Sequence, residues 1–270
     1  MENLEEATRL ELKTDPEVVR TQAKWCGLKP GLRVLDLGCG PGKTSSILHE
    51  MIQPGGELLG LDFSEERIDH ARRHYGERPG IDFQVRDFTE PLDDVGWFDL
   101  IWVRFVLEYH RKEGPIIVKN LTNCLNAGGY LCLMDLDHNC LNHYEIPEGV
   151  ERVLFKLMQI LQDKYNFDPY VGRKQYAYLY DLGYEDIQLD LTAHHLIYGK
   201  ASEVEVFNWI KKVEVVSKKA REALEEYEGG EDGFLGDFVR FFNDPRRFTY
   251  TPLILCKGRK PTSLSSPERR

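Results

Sequence analysis

Cysteine is scarce and scattered in this chain of 270 residues. The six, at Cys26, Cys39, Cys124, Cys132, Cys140 and Cys256, form no Cys-x-x-Cys pair. That excludes a disulfide scaffold and a structural zinc cage, and leaves them as small buried hydrophobes. His138-x-Cys140-x-x-His143, beside Asp135 and Asp137, matches no metal-ligand spacing and reads as a loop, so no metal is expected. No apolar run exceeds strand length, Leu131 to Met134 being typical, whereas crossing a bilayer takes roughly 20 residues. Positive charge is also in deficit: 35 basic against 45 acidic residues give a net charge of −10. No global positive field would gather nucleic acid or anionic lipid, so neither is expected as a partner. Met1 to Leu12 alternates Glu with Leu and lacks the basic start and apolar core of a secretory signal, which predicts a cytoplasmic protein.

What the sequence does contain is the balance of a globular protein, 41% apolar and 30% charged, with a regular rhythm in its first half. Asp15-Pro16 sets a cap beside a proline, and Val18, Val19, Gln22, Ala23 and Cys26 share a helical face until Gly27. Residues 1–30 are therefore assigned to N-terminal helices. Arg33 to Leu37 is a short apolar strand running into Gly38-Cys-Gly-Pro-Gly42 and then a helix through Ile52. The unit repeats with a strand at Leu58 to Leu61 and a helix capped by Ser64. Strands at Ile81 to Val85, Phe98 to Val103 and Tyr130 to Met134 follow, with a helix over Ile116 to Leu125. Such alternation requires right-handed crossovers and predicts a doubly wound α/β sheet covered on both faces, over a core of residues 31–199.

Past residue 146 the rhythm changes. Val150, Val153, Leu154, Leu157, Ile160, Leu161 and Tyr165 mark a long amphipathic helix, Arg173 to Asp181 a second, and Ile187 to Leu191 a half-exposed edge strand. Leu253 to Cys256, within 248–260, supplies a last strand. Between these strands, residues 200–247 form an insertion. There Ser202-x-x-Glu205 is a capping box, and apolar residues from Val206 to Tyr227 predict one helix that stops at Gly229-Gly230. Acidic residues outnumber basic ones in the insertion, so it is no nucleic-acid arm. Its place suits a lid over a site, or a helix simply packed on the core. Residues 261–270, rich in Ser, Pro and Arg, read as a disordered tail.

The chemistry-bearing residues collect at predicted strand ends. The Gly38, Gly40, Gly42 loop follows a strand and opens a helix, where backbone amides point toward a ligand. A dinucleotide fingerprint places its third glycine at the position held by Lys43, so the spacing argues against pyrophosphate. Asp62 ends the second strand, where a carboxylate can accept both hydroxyls of a ribose. Asp87 ends the third, placed to accept from an exocyclic amine, with Phe63 and Phe88 adjacent as apolar faces for a planar base. Asp36, Asp62 and Asp87 together suit a ligand with an adenosine half and no phosphates, although each alone is also an ordinary cap or turn former.

Val34-Leu-Asp-Leu-Gly-Cys-Gly-Pro-Gly-Lys-Thr44, Leu59-Gly-Leu-Asp-Phe-Ser64, Phe83-Gln-Val-Arg-Asp-Phe88 and Phe98-Asp-Leu-Ile101 resemble the successive motifs of the class I, Rossmann-like S-adenosylmethionine-dependent methyltransferases. The small-molecule branch that includes quinone-biosynthesis and sterol methyltransferases is the most similar. The resemblance implies a mostly parallel seven-stranded sheet whose last strand is antiparallel and inserts beside the strand at Ile187, with helices on both faces. It implies S-adenosyl-L-methionine as cofactor, with Asp36, Gly38, Cys39, Gly40 and Gly42 around its methionine part, Asp62 on the ribose, Asp87 with Phe63 and Phe88 at the adenine, and the Arg104 backbone at the sulfonium.

Methyl transfer from a sulfonium is an in-line displacement that needs alignment, exclusion of water and, for a weak acceptor, a base. Glu108, Tyr109 and His110 follow the fourth strand and are the candidates to position or deprotonate a small-molecule acceptor, His110 first because its ordinary pKa lies near neutrality. A histidine on a helix surface is the structural alternative. Two other functions fit the same motifs: a protein that binds the adenosyl ligand without turnover, and a nicotinamide-dependent oxidoreductase, which Lys43 disfavours.

Overall fold

The computed structural model describes residues 14–262. Expected helices before residue 14 and the expected tail beyond residue 262 lie outside the described residues. In chain order the elements are α1 (Pro16–Cys26), β1 (Arg33–Leu37), α2 (Lys43–Ile52), β2 (Glu57–Asp62), α3 (Glu65–Tyr75), β3 (Ile81–Val85), β4 (Phe98–Arg104), α4 (Gly114–Asn123), β5 (Leu125–Leu136), β6 (His143–Tyr144), α5 (Glu148–Tyr165), α6 (Gln175–Asp181), β7 (Glu185–Tyr198), α7 (Glu203–Lys219), α8 (Gly230–Asn243) and β8 (Phe248–Arg259). α1 begins as its cap dictates: the Asp15 carboxylate accepts the amides of Glu17 and Val18, and Gly27 ends the helix at φ 91°.

The strands lie in the order β3-β2-β1-β4-β5-β8-β6, with β7 also paired to β8. The pairs from β3 through β5 are parallel. β8 runs antiparallel to β5, β6 and β7, inserted between β5 and β7 as the resemblance implied. Among the described residues the count is eight rather than seven, because His143 and Tyr144 add a two-residue strand against Thr249 and Phe248.

Period-two alternation explains why both faces are covered. Leu35, Leu37, Leu59, Leu61, Ile101 and Val103 point to one side and pack with Ile117, Val118 and Leu121 of α4. Val34, Leu58, Leu100, Trp102, Cys132 and Met134 point to the other and pack with α1, α2 and α3. At about 2 kcal/mol for each large apolar side chain withdrawn from water, these two layers supply the main drive for folding. The chain builds outward from β1 through β2 to β3, then returns to the other side of β1 for β4. The carboxyl ends of β1 and β4 therefore flank the crevice where open α/β sheets bind ligands.

The insertion differs from the sequence expectation. α7 starts at the Ser202 capping box but ends at Lys219; a 3-10 turn, Arg221–Leu224, follows, and Gly229-Gly230 begins α8 rather than ending a helix. Phe234, Phe238 and Phe242 of α8 are fully buried against α5 and α7 in a third apolar cluster, and burying these rings outweighs the poor helix propensity of a Gly-Gly start. Arg247, 1% exposed, ties this layer to the sheet, donating to the carbonyls of Phe242 (2.8 Å), Ile197 (2.8 Å) and Gly199 (3.0 Å). Among the described residues no helix is long and apolar enough to cross a membrane.

Candidate active site

The carboxyl ends of β1 and β2 are stitched together by the glycine loop. The Gly38 and Cys39 amides both donate to the Leu61 carbonyl, at 2.7 and 2.9 Å. The Asp62 carboxylate, 4% exposed, accepts the Gly40 amide at 3.0 Å on one oxygen and the Ser64 amide at 3.0 Å on the other. Each oxygen has a second lone pair, so Asp62 keeps capacity for two hydroxyl donors. Asp36 is buried at the end of β1 and accepts the Ser45 hydroxyl at 2.6 Å. Burial pushes its carboxyl up to about 7, against the pull of Ser45 and the Arg104 guanidinium. Cys39 contributes its backbone; its thiol is buried and pushed well above its usual range.

The loop glycines serve different ends. A Cβ on Gly38 would stand 2.3 Å from Val106 Cγ2, and one on Gly42 2.8 Å from Ala71 Cβ, so both are demanded by packing. Gly40 has φ +56° and nothing within 4 Å of an added Cβ: its bare face opens to the crevice. Gly38→Ala should thus cost about 2 kcal/mol or more of stability through overpacking and a positive φ. Gly40→Ala carries the positive-φ strain without the overlap, so it should lower the melting temperature less than Gly38→Ala while weakening donor-ligand binding. Thermal melts and calorimetry on the two variants check the contrast, and equal melting losses in both would refute it.

Further along the edge, Asp87 is held below the ordinary carboxylate range by the hydroxyl and amide of Thr89. Phe63 offers an exposed ring, whereas Phe88 is buried in the core and meets the His110 ring edge-on at 5.3 Å. Of the two phenylalanines expected to flank a base, only Phe63 therefore presents a free face. Burial lowers the His110 imidazole below its usual value, more than Glu113 and Asp87 raise it, so it is neutral at pH 7. Arg104 donates from Nε to Gln22 of α1 at 3.0 Å and lies 4.2 Å over the Phe105 ring. Burial pulls its guanidinium down to about 10, and Asp36 and Asp135 oppose that pull.

The three expected catalytic residues part company. His110 faces Phe88 and Asp87. Tyr109 is exposed, its ring tilted against Phe167 at 5.8 Å, and the neighbouring Glu108 carboxylate holds its hydroxyl protonated. Glu108 turns inward, 4% exposed, and accepts from Asn139 at 3.0 Å. Sequence reasoning did not pair Glu108 with Asp135, which is fully buried at the end of β5 and accepts the Leu107 amide at 2.9 Å. Glu108 lies on the 3-10 turn Leu107–Tyr109 that follows β4, and Asp135 is the penultimate residue of the neighbouring β5. Tyr176 and Tyr180 of α6 stack on each other and are exposed.

A parallel sheet with a glycine loop after its first strand, an acidic residue ending the second and a crevice at the β1–β4 reversal define an adenosyl-ligand α/β fold. Residues 28–185 match the methyltransferase-domain family, and the chain belongs to it, among the class I S-adenosylmethionine-dependent methyltransferases. The ubiquinone biosynthesis O-methyltransferase of Coxiella burnetii is 31% identical over 124 residues, 46% of this chain and 51% of that protein. The chain spans about half or less of the length of the curated relatives it matches. Among solved structures, phosphoethanolamine N-methyltransferase 2 of Haemonchus contortus, in complex with S-adenosyl-L-methionine, superposes with a TM-score of 0.54 at 16% identity, covering 91% of this chain and 52% of that one. The cyclase SpnF superposes with a TM-score of 0.56 at 17% identity, covering 92% and 82%. At these identities the structures speak for the fold.

Proposed function

We propose that this protein is a cytoplasmic methyltransferase that moves a methyl group from S-adenosyl-L-methionine to a small organic acceptor rather than to nucleic acid. The observation that carries the reading is the pairing of Asp62, buried yet with lone pairs to spare, with the open backbone of Gly40 at the topological switch point. Relatives named for ubiquinone and phosphoethanolamine methylation support a small acceptor, and the net charge of −10 supports the exclusion of nucleic acid.

In this reading Asp62 accepts from the ribose hydroxyls, Phe63 lies against the adenine and Asp87 accepts from its amine. The backbone from Gly38 to Gly42 and the Asp36 carboxylate surround the methionine part, and the Arg104 backbone borders the sulfonium. When bound, the donor supplies a methyl group on positively charged sulfur. The protein aligns the acceptor and excludes water, with residues 200–247 as the roof. His110, against Phe88, orders the adenine end, and Glu108 faces the acceptor end.

Calorimetric titration with S-adenosylhomocysteine, with NADH as control, tests the reading. Saturable binding of the first alone is expected; binding of NADH alone would overturn it. Because a cyclase shares the fold, binding is measured before turnover.

Asp36 gives the interaction a pH dependence. Its folded-state value of about 7, against 3.8 as the ordinary value, means that the folded protein retains a proton the unfolded chain has lost. Its contribution to stability is present below pH 4 and lost as pH rises toward 7. A ligand ammonium favours the ionised form, so S-adenosylhomocysteine affinity should fall by up to about tenfold between pH 8 and pH 6. Asp36→Asn should flatten that profile, and an unchanged slope in the variant would remove Asp36 from the account.

A further inference from the structure

We propose that the outward face of the β7–β8 ribbon is an interface with a second copy of this chain, the two ribbons packing face to face about a two-fold axis. The inference concerns assembly and does not depend on the methyltransferase reading.

The ribbon outruns the parallel sheet. β5 ends at Leu136, opposite Leu253, so the stretch of β8 from Pro252 back to Phe248, with its partners on β7, lies past the last parallel strand. One side of this overhang is covered by the insertion: Ile197, Thr249 and Thr251 are buried, and Trp209 of α7 meets the His195 ring at 5.6 Å. The other side faces water and yet is not polar, as the outer face of an antiparallel sheet ordinarily is. There Leu196 pairs with Tyr250 and Tyr198 with Phe248, and Tyr144 of β6 continues the row past Phe248. Leu189 and Leu191, opposite Cys256 and Ile254, extend the row along the ribbon.

A bulge sets this row. Ala193 pairs with Pro252 but His195 with Thr251, which places one extra residue in β7. Strict alternation would turn Leu196 and Tyr198 under the insertion; the extra residue returns them to the side of Leu189 and Leu191.

The exposed leucines and aromatics of the row are each between 39% and 67% exposed. At about 150–250 Å² for a whole aromatic side chain, and somewhat less for leucine, they hold roughly 700 Å² of apolar surface in water. A monomer rarely exposes more than a few hundred Å² of contiguous apolar surface, whereas a standard interface takes about 800 Å² from each partner.

The occupant follows from charge. No charged side chain stands at the cross-strand positions of this face from Leu189 to Tyr198. The arginines at its two ends are engaged in ion pairs within the chain, Arg259 with Glu185 and Asp186 at 2.8 Å each and Arg246 with Glu145 at 3.1 Å. Such a face offers nothing to a charged peptide, and the net charge of −10 opposes an anionic lipid surface. It does match itself: an apolar, uncharged patch closes against its own copy with like on like, as the cores of homodimer interfaces do.

Sedimentation equilibrium on the full chain tests the proposal. The wild type is expected to be a dimer at micromolar concentration, tightened by added salt, which screens the repulsion between two copies of net charge −10. Leu191→Asp and Tyr198→Asp, from the two halves of the row, should each weaken self-association about tenfold or more. Trp97→Ser, which removes an exposed aromatic from the loop before β4, should leave it unchanged. Thermal melts identify a variant that has not folded, and the other then carries the test. A monomeric wild type, including one that floats with phosphatidylcholine vesicles instead, overturns the proposal. So does a dimer that the folded variants retain, that salt dissociates, or that Trp97→Ser weakens as much.

Discussion

Replacing Asp62 by alanine should weaken S-adenosylhomocysteine binding by about a hundredfold or more, because a charge-assisted hydrogen bond contributes about 1.5–3 kcal/mol and this carboxylate is assigned two of them. A second effect adds to the first. Asp62 also holds the amides of Gly40 and Ser64, so its removal loosens the glycine loop and the turn that leads into the Ser64 cap of α3. Asp62→Asn separates the two: one carbonyl oxygen remains to hold one amide, while the charge offered to the ribose is gone. Calorimetry should show a large affinity loss in both variants, and thermal melting a smaller loss in Asp62→Asn than in Asp62→Ala. Wild-type affinity in either variant would remove the ribose role from this residue.

Arg247→Met should destabilise the protein by about 3 kcal/mol or more, with the loss centred on residues 200–247. The guanidinium is 1% exposed, satisfies three backbone carbonyls and lies 4.9 Å over the Phe242 ring. Methionine fills much of the volume but leaves two buried acceptors, the carbonyls of Phe242 and Ile197, and the part-buried one of Gly199 without this donor, each buried one costing about 1–3 kcal/mol before relaxation or water entry. Chemical denaturation measures the total. Hydrogen exchange shows where it falls: amides of α7 and α8 should lose protection well before those of β1 and β4. Uniform loss across the sheet, or none, would contradict this placement of Arg247.

The parallel half of the fold was legible because its signals are local. The strands from β1 to β5 carry short apolar runs, β1, β2, β3 and β5 each with a glycine or aspartate within two residues of its end, and the helices beside them carry caps such as Asp15 and Ser64. The gathering of Asp36, Gly38, Gly40 and Asp62 at one sheet edge was legible for the same reason, since they sit at fixed offsets from strands that the pattern locates. What escaped depends on distant partners. Gly229-Gly230 reads as a stop in isolation, and only the packing of Phe234, Phe238 and Phe242 makes it a start. Phe88 reads as a free face beside Asp87, yet the core claims it.

The insertion leaves the sheet at Tyr198 and returns at Phe248, and those two residues are cross-strand partners at the end of the β7–β8 ribbon. Its entry and exit are therefore side by side, and 49 intervening residues, Gly199 to Arg247, hang from a single closed stem. A stem of this kind tolerates exchange of whatever it carries. Grafts of foreign helical segments between Tyr198 and Phe248 need only restore the apolar contact with α5 to leave the described strands in register, which makes this junction the natural point at which to recombine one sheet with many insertions.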